Sequence, residues 1–405
     1  MTRLAVLSYH TSPLAQPGTG DGGGMNVYVR ELSSALARLG HEVDVYTRRS
    51  DIGEPDVVHV EPGFRVHNVT AGPAHEISRE ELLANIPIFT RAIATLFRKD
   101  GQPDVIHANY WMSGLAGHEL KHELNIPLVM TFHTLERVKA ATFVPESDER
   151  GIEEGRIFAC ADAVLASCDI EAEQFTEHYN ANSERVHIVP LGVEHAFFAP
   201  GYQPQARRAL GLNENTDMLL YIGRLQELKG VDLALETLIE MRQRGRDVTL
   251  AIVGGPSGSG GRETLNRLRQ RVTEASVISR VLFVAPQSHQ LLSTWMRAAS
   301  VTLVPSRAES FGLVALESAA SGTPVVASKV GGLSTLVEDR VTGRLLESRD
   351  PTDWADAVEE LLDSPALTAM SNAAMLFAKS YSWKAAAQSI DDLVHRFEAT
   401  GLIRC

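Results

Sequence analysis

Residues 4–46, LAVLSYHTSPLAQPGTGDGGGMNVYVRELSSALARLGHEVDVY, hold the reading of the fold. LAVLS (4–8) is an apolar run of strand length. Met25, Val29, Leu32, Leu36 and Leu39 then recur at helical spacing, Gly40 stops the helix, and HEVDVY (41–46) is a second strand. The alternation continues, with strands predicted at 104–107, 127–131, 163–167 and 186–189 and a helix over 114–124. After an irregular passage at 195–201 a second series begins. Its strands are predicted at 218–222, 248–253, 281–284, 301–304 and 324–327. Its helices are expected at 231–244, from about 262, from about 289 and near 313–321, with two more at the C-terminus. Strands that alternate with helices lie parallel, and both faces of their sheet are covered.

A length of 405 residues suits two domains, each able to bury its own core. The fold class expected is α/β: two Rossmann-like, doubly wound domains facing a central cleft, residues 1–195 and 196–405, with the last helix free to pack back on the first domain. Hydrophobic residues at 44% and charged residues at 22% exclude disordered and fibrous classes. Lys and Arg number 38 against 51 Asp and Glu, a net charge of −13 that argues against non-specific nucleic-acid binding but allows a local basic pocket. Three cysteines (Cys160, Cys168, Cys405) predict neither a disulfide framework nor a zinc pattern. The N-terminal apolar run is too short for a signal-peptide core and nothing approaches a membrane span, so a cytoplasmic protein is expected. A homodimer is the default oligomer for such a chain.

Four motifs bear on chemistry. GTGDGG (18–23) satisfies G-x-G-x-x-G and opens a helix, but its first glycine comes some ten residues after the strand. The strand ending at Tyr46 is followed by Thr47, Arg48 and Arg49, not by a ribose-binding acid, which speaks against a nicotinamide cofactor. A long glycine loop before a helix still suits an anionic or sugar ligand, because bare backbone approaches closely. HELKH (118–122) is a literal zinc-protease signature, yet no third ligand follows on a neighbouring turn, and a solvated helix face explains it as well. GRLQELKG (223–230) follows one strand directly, placing Arg224 and Lys229 at a strand-end crevice, a planar fork and a point charge suited to a diphosphate. ESFGLVALE (309–317) follows another strand and enters a helix, so the N–H groups around Phe311, Gly312 and Leu313 can hold an anion or a hydroxyl. Glu309 and Glu317, eight residues apart, span up to roughly 12 Å of helix, which suits two ends of one extended ligand better than a carboxylate dyad.

Arg224…Lys229 followed by Glu309-x7-Glu317 resembles retaining glycosyltransferase family 4, of GT-B fold, over essentially the whole chain. The stretch from His10 to Tyr28 is similar to the branch of that family that moves N-acetylglucosamine from a UDP donor to inositol phosphate. Sucrose-phosphate synthases, which use a hexose phosphate, share the plan. The resemblance implies that Arg224 and Lys229 neutralise the donor diphosphate, Glu317 binds the ribose and Glu309 the transferred sugar. It places Gln16, Pro17 and Gly24 near the donor. His133 would lie beside the reacting sugar. On the acceptor side it implies His10, Asp21, Gly22, Gly23, Gly24, Met25, Asn26, Tyr110 and Thr134. A lysine is usual in this branch where Arg79 stands; arginine clamps a phosphate with a different geometry. A second acceptor arginine is expected at Arg150, with Arg156 as the alternative. The implied partners are small molecules, a nucleotide sugar and a phosphorylated polyol or sugar. No cofactor or metal is required, since protein cations take the metal's place, and a Mg2+ ion bound elsewhere would leave no mark in the sequence.

Overall fold

The computed structural model describes the chain except Thr19, Asp21, residues 141–147, Ser259, Gly401, Arg404 and Cys405, and the side chains of residues 398–400. Two compact units form: Met1–Ala15, Met25–Pro190 and Trp383–Cys405 make the first, Gln16–Gly24 and Leu191–Ser382 the second. The chain thus passes to the second unit after Pro190, ahead of the expected position 195, and the glycine stretch 16–24 belongs to the second unit although the sequence reading put it in the first.

In the first unit the strands are β1 (Arg3–Leu7), β2 (Glu42–Arg48), β3 (Val57–Glu61), β4 (Phe64–Val69), β5 (Val105–Asn109), β6 (Leu128–Thr131), β7 (Ala163–Ala166) and β8 (Val186–Ile188). They form one sheet in the order β3-β4-β2-β1-β5-β6-β7-β8, parallel except for the β3–β4 pair. β5 and β6 are buried along their whole length, as parallel strands covered on both faces must be. The 22-residue helix Arg79–Asp100 starts on a capping box of Ser78 and Glu81 and buries Ile86, Phe89, Ile93 and Phe97. These pack with Tyr9 and Leu7 in the core, each large apolar side chain contributing about 1.5–3 kcal/mol.

In the second unit β9 (Asp217–Ile222), β10 (Val248–Val253), β11 (Val281–Val284), β12 (Val301–Val304), β13 (Val325–Ser328) and β14 (Gly343–Leu346) form an all-parallel sheet, order β11-β10-β9-β12-β13-β14. Helices Val231–Gln243 and Pro351–Asp363 pack on it with Trp354 fully enclosed, its indole N–H donating to Ser348 O at 2.8 Å.

Three features depart from the reading above. The β3–β4 hairpin and the edge strand β14 were not expected; β3 is half-exposed, so it lacks the continuous apolar run that marks a central strand. The C-terminal region holds three helices, Pro351–Asp363, Leu367–Ala378 and Trp383–Thr400, where two were expected. Cys160 is disulfide-bonded, while Cys168 is a buried thiol.

Candidate active site

Each sheet has one point where strand order reverses. In the second, the chain steps outward from β9 through β10 to β11, then pairs β12 on the other side of β9 and continues to β14. In the first, β1 and β5 are the corresponding neighbours. Crevices at the carboxyl ends of such strand pairs are where doubly wound sheets bind ligands. Arg224 leaves β9 and Glu309 follows β12; His10 follows β1 and Tyr110 follows β5.

In the second unit Lys229 Nζ donates to Glu309 Oε2 at 2.7 Å, and Ser306 Oγ donates to the same oxygen at 3.1 Å. Lys229 ends a short 3-10 turn that Gly230 closes at φ 66. A Cβ at 230 would lie 1.9 Å from Pro305 O, so only glycine lets this turn rest on the exit of β12. Gly331 does the same beneath Glu309: at φ 46, its Cβ would lie 1.9 Å from the Glu309 carbonyl oxygen. Gly332 N–H donates to that carbonyl at 3.1 Å. Glu309 is therefore held from below by backbone and in front by a cation. Gly312, at φ 106, caps the helix Leu313–Ala320, whose start carries positive dipole character, and Phe311 is buried beside it. Glu317 is buried on the same helix, one turn further in.

The stretch Gln16–Gly24 lies over these strand ends. Gln16 Nε2 donates to Gln287 O at 2.7 Å, and Ser257 Oγ donates to Gly20 O at 2.5 Å. A Cβ on Gly23 would stand 3.5 Å from Arg224 Nε, and one on Gly24 3.6 Å from Leu313 Cδ1. Gly23, expected with the acceptor, thus lies against Arg224, and Gly24, expected on both the donor and the acceptor side, lies near Leu313; Gln16, Pro17 and Gly22 belong to the same unit. Asp21 lies outside the described residues.

In the first unit two arginines converge on one indole. Arg79 Cζ stands 5.6 Å from the centroid of the Trp111 ring and Arg150 Cζ 5.7 Å from it; Arg150 also lies 5.0 Å from the Tyr110 ring. Trp111 is 3% exposed, and its Nε1–H has no hydrogen-bond partner among the described residues. Arg150 is buried and well partnered: Nε donates to Glu154 Oε1 at 2.7 Å, Nη2 to Thr134 O at 2.7 Å and to Thr134 Oγ1 at 3.0 Å. Burial would pull the Arg150 pKa down, but Tyr110, Glu154 and Glu136 outweigh it and the net shift is upward. Arg156 instead pairs with Glu153 at the exposed surface, so Arg150 is the arginine at this cluster. Asn26 is buried and its amide donates to Thr11 Oγ1 at 2.8 Å and Ser12 O at 2.6 Å, fixing the segment after His10. Met25 is half-buried beside it, and the His10 ring lies 4.4 Å from that of Tyr110.

His133 follows β6 at φ 62, an unusual conformation for a residue with a Cβ. Its Nε2 is 2.9 Å from Asn109 Oδ1, and the Tyr28 ring meets it edge-on at 4.9 Å. Burial, with His107 and His10 nearby, pushes its pKa down to about 3, so the ring is neutral. The sequence reading named Tyr110 but not its neighbours Asn109 and Trp111 as site residues, nor Ser306, Gly331 and Glu154, whose roles appear only in three dimensions. The HELKH histidines do meet a third group: His118, His122 and Cys160 bring ligand atoms within 4.8 Å of one another. Because Cys160 is disulfide-bonded, its sulfur is not a thiolate ligand.

Two Rossmann-like units, each with a polar cluster at its switch point, are the architecture of a GT-B glycosyltransferase. The family models agree: "Glycosyl transferase 4-like domain" matches residues 23–192 and "Glycosyl transferases group 1" matches residues 203–376. Over 402 residues the chain is 43% identical to the D-inositol 3-phosphate glycosyltransferase of Kribbella flavida, covering 96% of this chain and 94% of that one. The protein of the same name from Pseudarthrobacter chlorophenolicus is 42% identical over 388 residues, 94% of this chain and 92% of that one. A solved structure of sucrose-phosphate synthase from Thermosynechococcus elongatus superposes with a TM-score of 0.91 at 33% identity, covering 99% of this chain and 100% of that one. The chain belongs to the glycosyltransferase family that the D-inositol 3-phosphate glycosyltransferases represent. Among the described residues no helix is long and apolar enough to cross a membrane.

Proposed function

We propose that the protein moves N-acetylglucosamine from UDP-N-acetylglucosamine to 1D-myo-inositol 3-phosphate, with retention at the anomeric carbon, as a cytoplasmic step of mycothiol synthesis. The observation that carries this reading is the Trp111 platform. Two guanidinium groups, a buried indole N–H lacking a partner among the described residues, and the Tyr110 and Thr134 side chains gather at one helix start, a set matched to a small phosphomonoester. The name carried by the relatives 42–43% identical supports an inositol phosphate in that place.

In the second unit Arg224 and Lys229 face the donor diphosphate, Glu309 the transferred sugar and Glu317 the ribose, with Gln16, Pro17 and Gly24 alongside. As the bond from the anomeric carbon to the diphosphate breaks, the acceptor oxygen bonds to the same face of the sugar. The leaving phosphate oxygen takes the acceptor's proton, giving UDP and the glycoside. Arg224, Lys229 and the helix start at Phe311–Leu313 stabilise the charge that develops on the leaving group, which is where preorganised cations lower a barrier most. The two cations make a metal unnecessary for this step.

A second reading, transfer to a hexose phosphate, is favoured by the 33% identity to a sucrose-phosphate synthase and by arginine at position 79. UDP release from UDP-N-acetylglucosamine, compared with inositol 3-phosphate, fructose 6-phosphate and no acceptor, separates them. Release only with inositol 3-phosphate is expected. Use of fructose 6-phosphate, or silence with this donor while others turn over, would reject the named reaction and leave the glycosyltransferase class intact.

A further inference from the structure

His118 and His122 stand one turn apart on the helix Trp111–Leu124, their ring centroids 4.7 Å from each other. This helix packs against the helix Glu149–Cys160, and Gly114 is what lets the two approach: a Cβ at 114 would lie 2.8 Å from Ile157 Cδ1. The contact brings the buried Cys160, last residue of its helix, to the histidine pair, with His122 Nε2 3.2 Å from Cys160 Sγ. One ligand atom from each of the three residues lies within 4.8 Å of the other two. Lys121 is buried beside them, its Nζ donating to Cys160 O at 2.7 Å and to Asp162 Oδ2 at 2.8 Å. That pair fixes the backbone carrying the sulfur, and Asp162 neutralises the lysine's charge.

We propose that His118, His122 and Cys160 form a site for Zn2+ that opens when the Cys160 disulfide is reduced. With Cys160 in its disulfide the sulfur does not serve as a ligand, because the thiolate is the binding form. A small thiol RSH cleaves that bond by exchange: two RSH become RSSR, and Cys160 and its former partner sulfur each gain a hydrogen. The Cys160 thiol then gives its proton to solvent as the zinc–sulfur bond forms. Two imidazoles and a thiolate suit Zn2+, whereas Mg2+ and Ca2+ take oxygen ligands. Tetrahedral bonds of about 2.3 Å to sulfur and about 2.0–2.1 Å to nitrogen set the ligand atoms about 3.3–3.6 Å apart. The His122–Cys160 pair is close to that spacing, and rotation of the half-buried His118 and exposed His122 rings closes the wider separation. Solvent fills the fourth position beside His122. Along their helix the histidines stand about 10–16 Å beyond Trp111, so the ion takes no part in the transfer. It ties together the far ends of two helices whose starts carry Trp111 and Arg150.

The test uses the full chain, reduced with dithiothreitol and desalted without oxygen, with Co2+ as a spectroscopic stand-in for Zn2+. Thiol titration of a denatured sample verifies that all three cysteines are reduced. The reduced wild type is expected to bind one Co2+ per chain and show a thiolate-to-cobalt charge-transfer band. Stoichiometric Zn2+ should displace that ion and Mg2+ should not; the oxidised protein should show no band. Cys160→Ser is expected to lose the band, while Cys168→Ser, which removes a buried thiol outside the cluster, keeps it. In competition with a chromophoric chelator, His118→Gln and His122→Gln should each weaken Zn2+ binding at least about 100-fold, more than the loss of an outer-shell partner costs. The exposed position of His122 keeps its variant folded. A reduced wild type without the band overturns the proposal. So does a band that survives Cys160→Ser, a pair of histidine variants that bind as tightly as the wild type, or an oxidised protein that holds the ion as well as the reduced one.

Discussion

Lowering the pH should loosen the first unit through His107. This side chain is 1% exposed on β5; its Nε2 lies 2.8 Å from Thr131 Oγ1, and its Nδ1 has no hydrogen-bond partner among the described residues. Burial pushes its pKa down to about 4, whereas in an unfolded chain it titrates near about 6.5. The sign follows from proton binding. Between these two values the unfolded chain holds a proton that the folded one lacks, so stability falls as pH drops through 6.5 and the loss levels off below about 4. At pH 5 the difference of about 1.5 units corresponds to about 2 kcal/mol, or an opening roughly 30-fold more frequent. Native-state hydrogen exchange of β5 and β6 amides, corrected for intrinsic rates, reads this at pH 7.5 and 5.0 in the wild type and in His107→Gln. His133 stays in both proteins, so its own acid sensitivity cancels in the comparison. The wild type should lose about 2 kcal/mol more than the variant on acidification. Equal losses would refute the assignment of a buried neutral His107.

Lys229→Ala should reduce UDP release about 10²- to 10³-fold, since it removes a cation from the leaving group and leaves Glu309 without its partner at 2.7 Å; steady-state kinetics check this, and a loss below threefold would count against the role. Arg150→Met should destabilise the first unit by about 3–5 kcal/mol because it strands the fully buried Glu154, while Arg156→Ala stays within about 0.5 kcal/mol, both measured by denaturant unfolding. Gly230→Ala should cost at least about 2 kcal/mol and most of the activity, because φ 66 and a 1.9 Å approach to Pro305 O force the Lys229 turn to move; melting and turnover measured together show it. Chelation by EDTA should leave turnover unchanged in the same assay.

Much of this was legible in the sequence, and what was not has identifiable causes. Central strands such as β5, β6, β9 and β12 announce themselves as apolar runs because both faces of a parallel sheet are covered. β3 does not, since an edge strand paired antiparallel has a wet side. Arg224, Lys229 and Glu309 could be located because each sits just beyond a strand, where topology alone creates a crevice. The choice between Arg150 and Arg156 could not be made locally: it depends on Tyr110 and Thr134, residues 40 and 16 positions away, and on a buried Glu154. The glycine stretch Gln16–Gly24 joins a different unit from its neighbours in the sequence. Chain continuity suggested the first unit, but its hydrogen bonds reach 237 and 271 positions along the sequence.

That crossing has a bearing on how members of this family could be recombined. A gene fusion cut once between the two series of strands would transplant the glycine stretch with one parent's first unit and leave the other parent's Arg224, Ser257 and Gln287 beneath a loop that never evolved with them. The C-terminal helix Trp383–Thr400 would travel with the wrong half as well. A chimera that exchanges the first unit whole while keeping the second intact has to be spliced at four seams, after Ala15, Gly24, Pro190 and Ser382. Modularity here is a property of the folded object, and the linear gene does not share it.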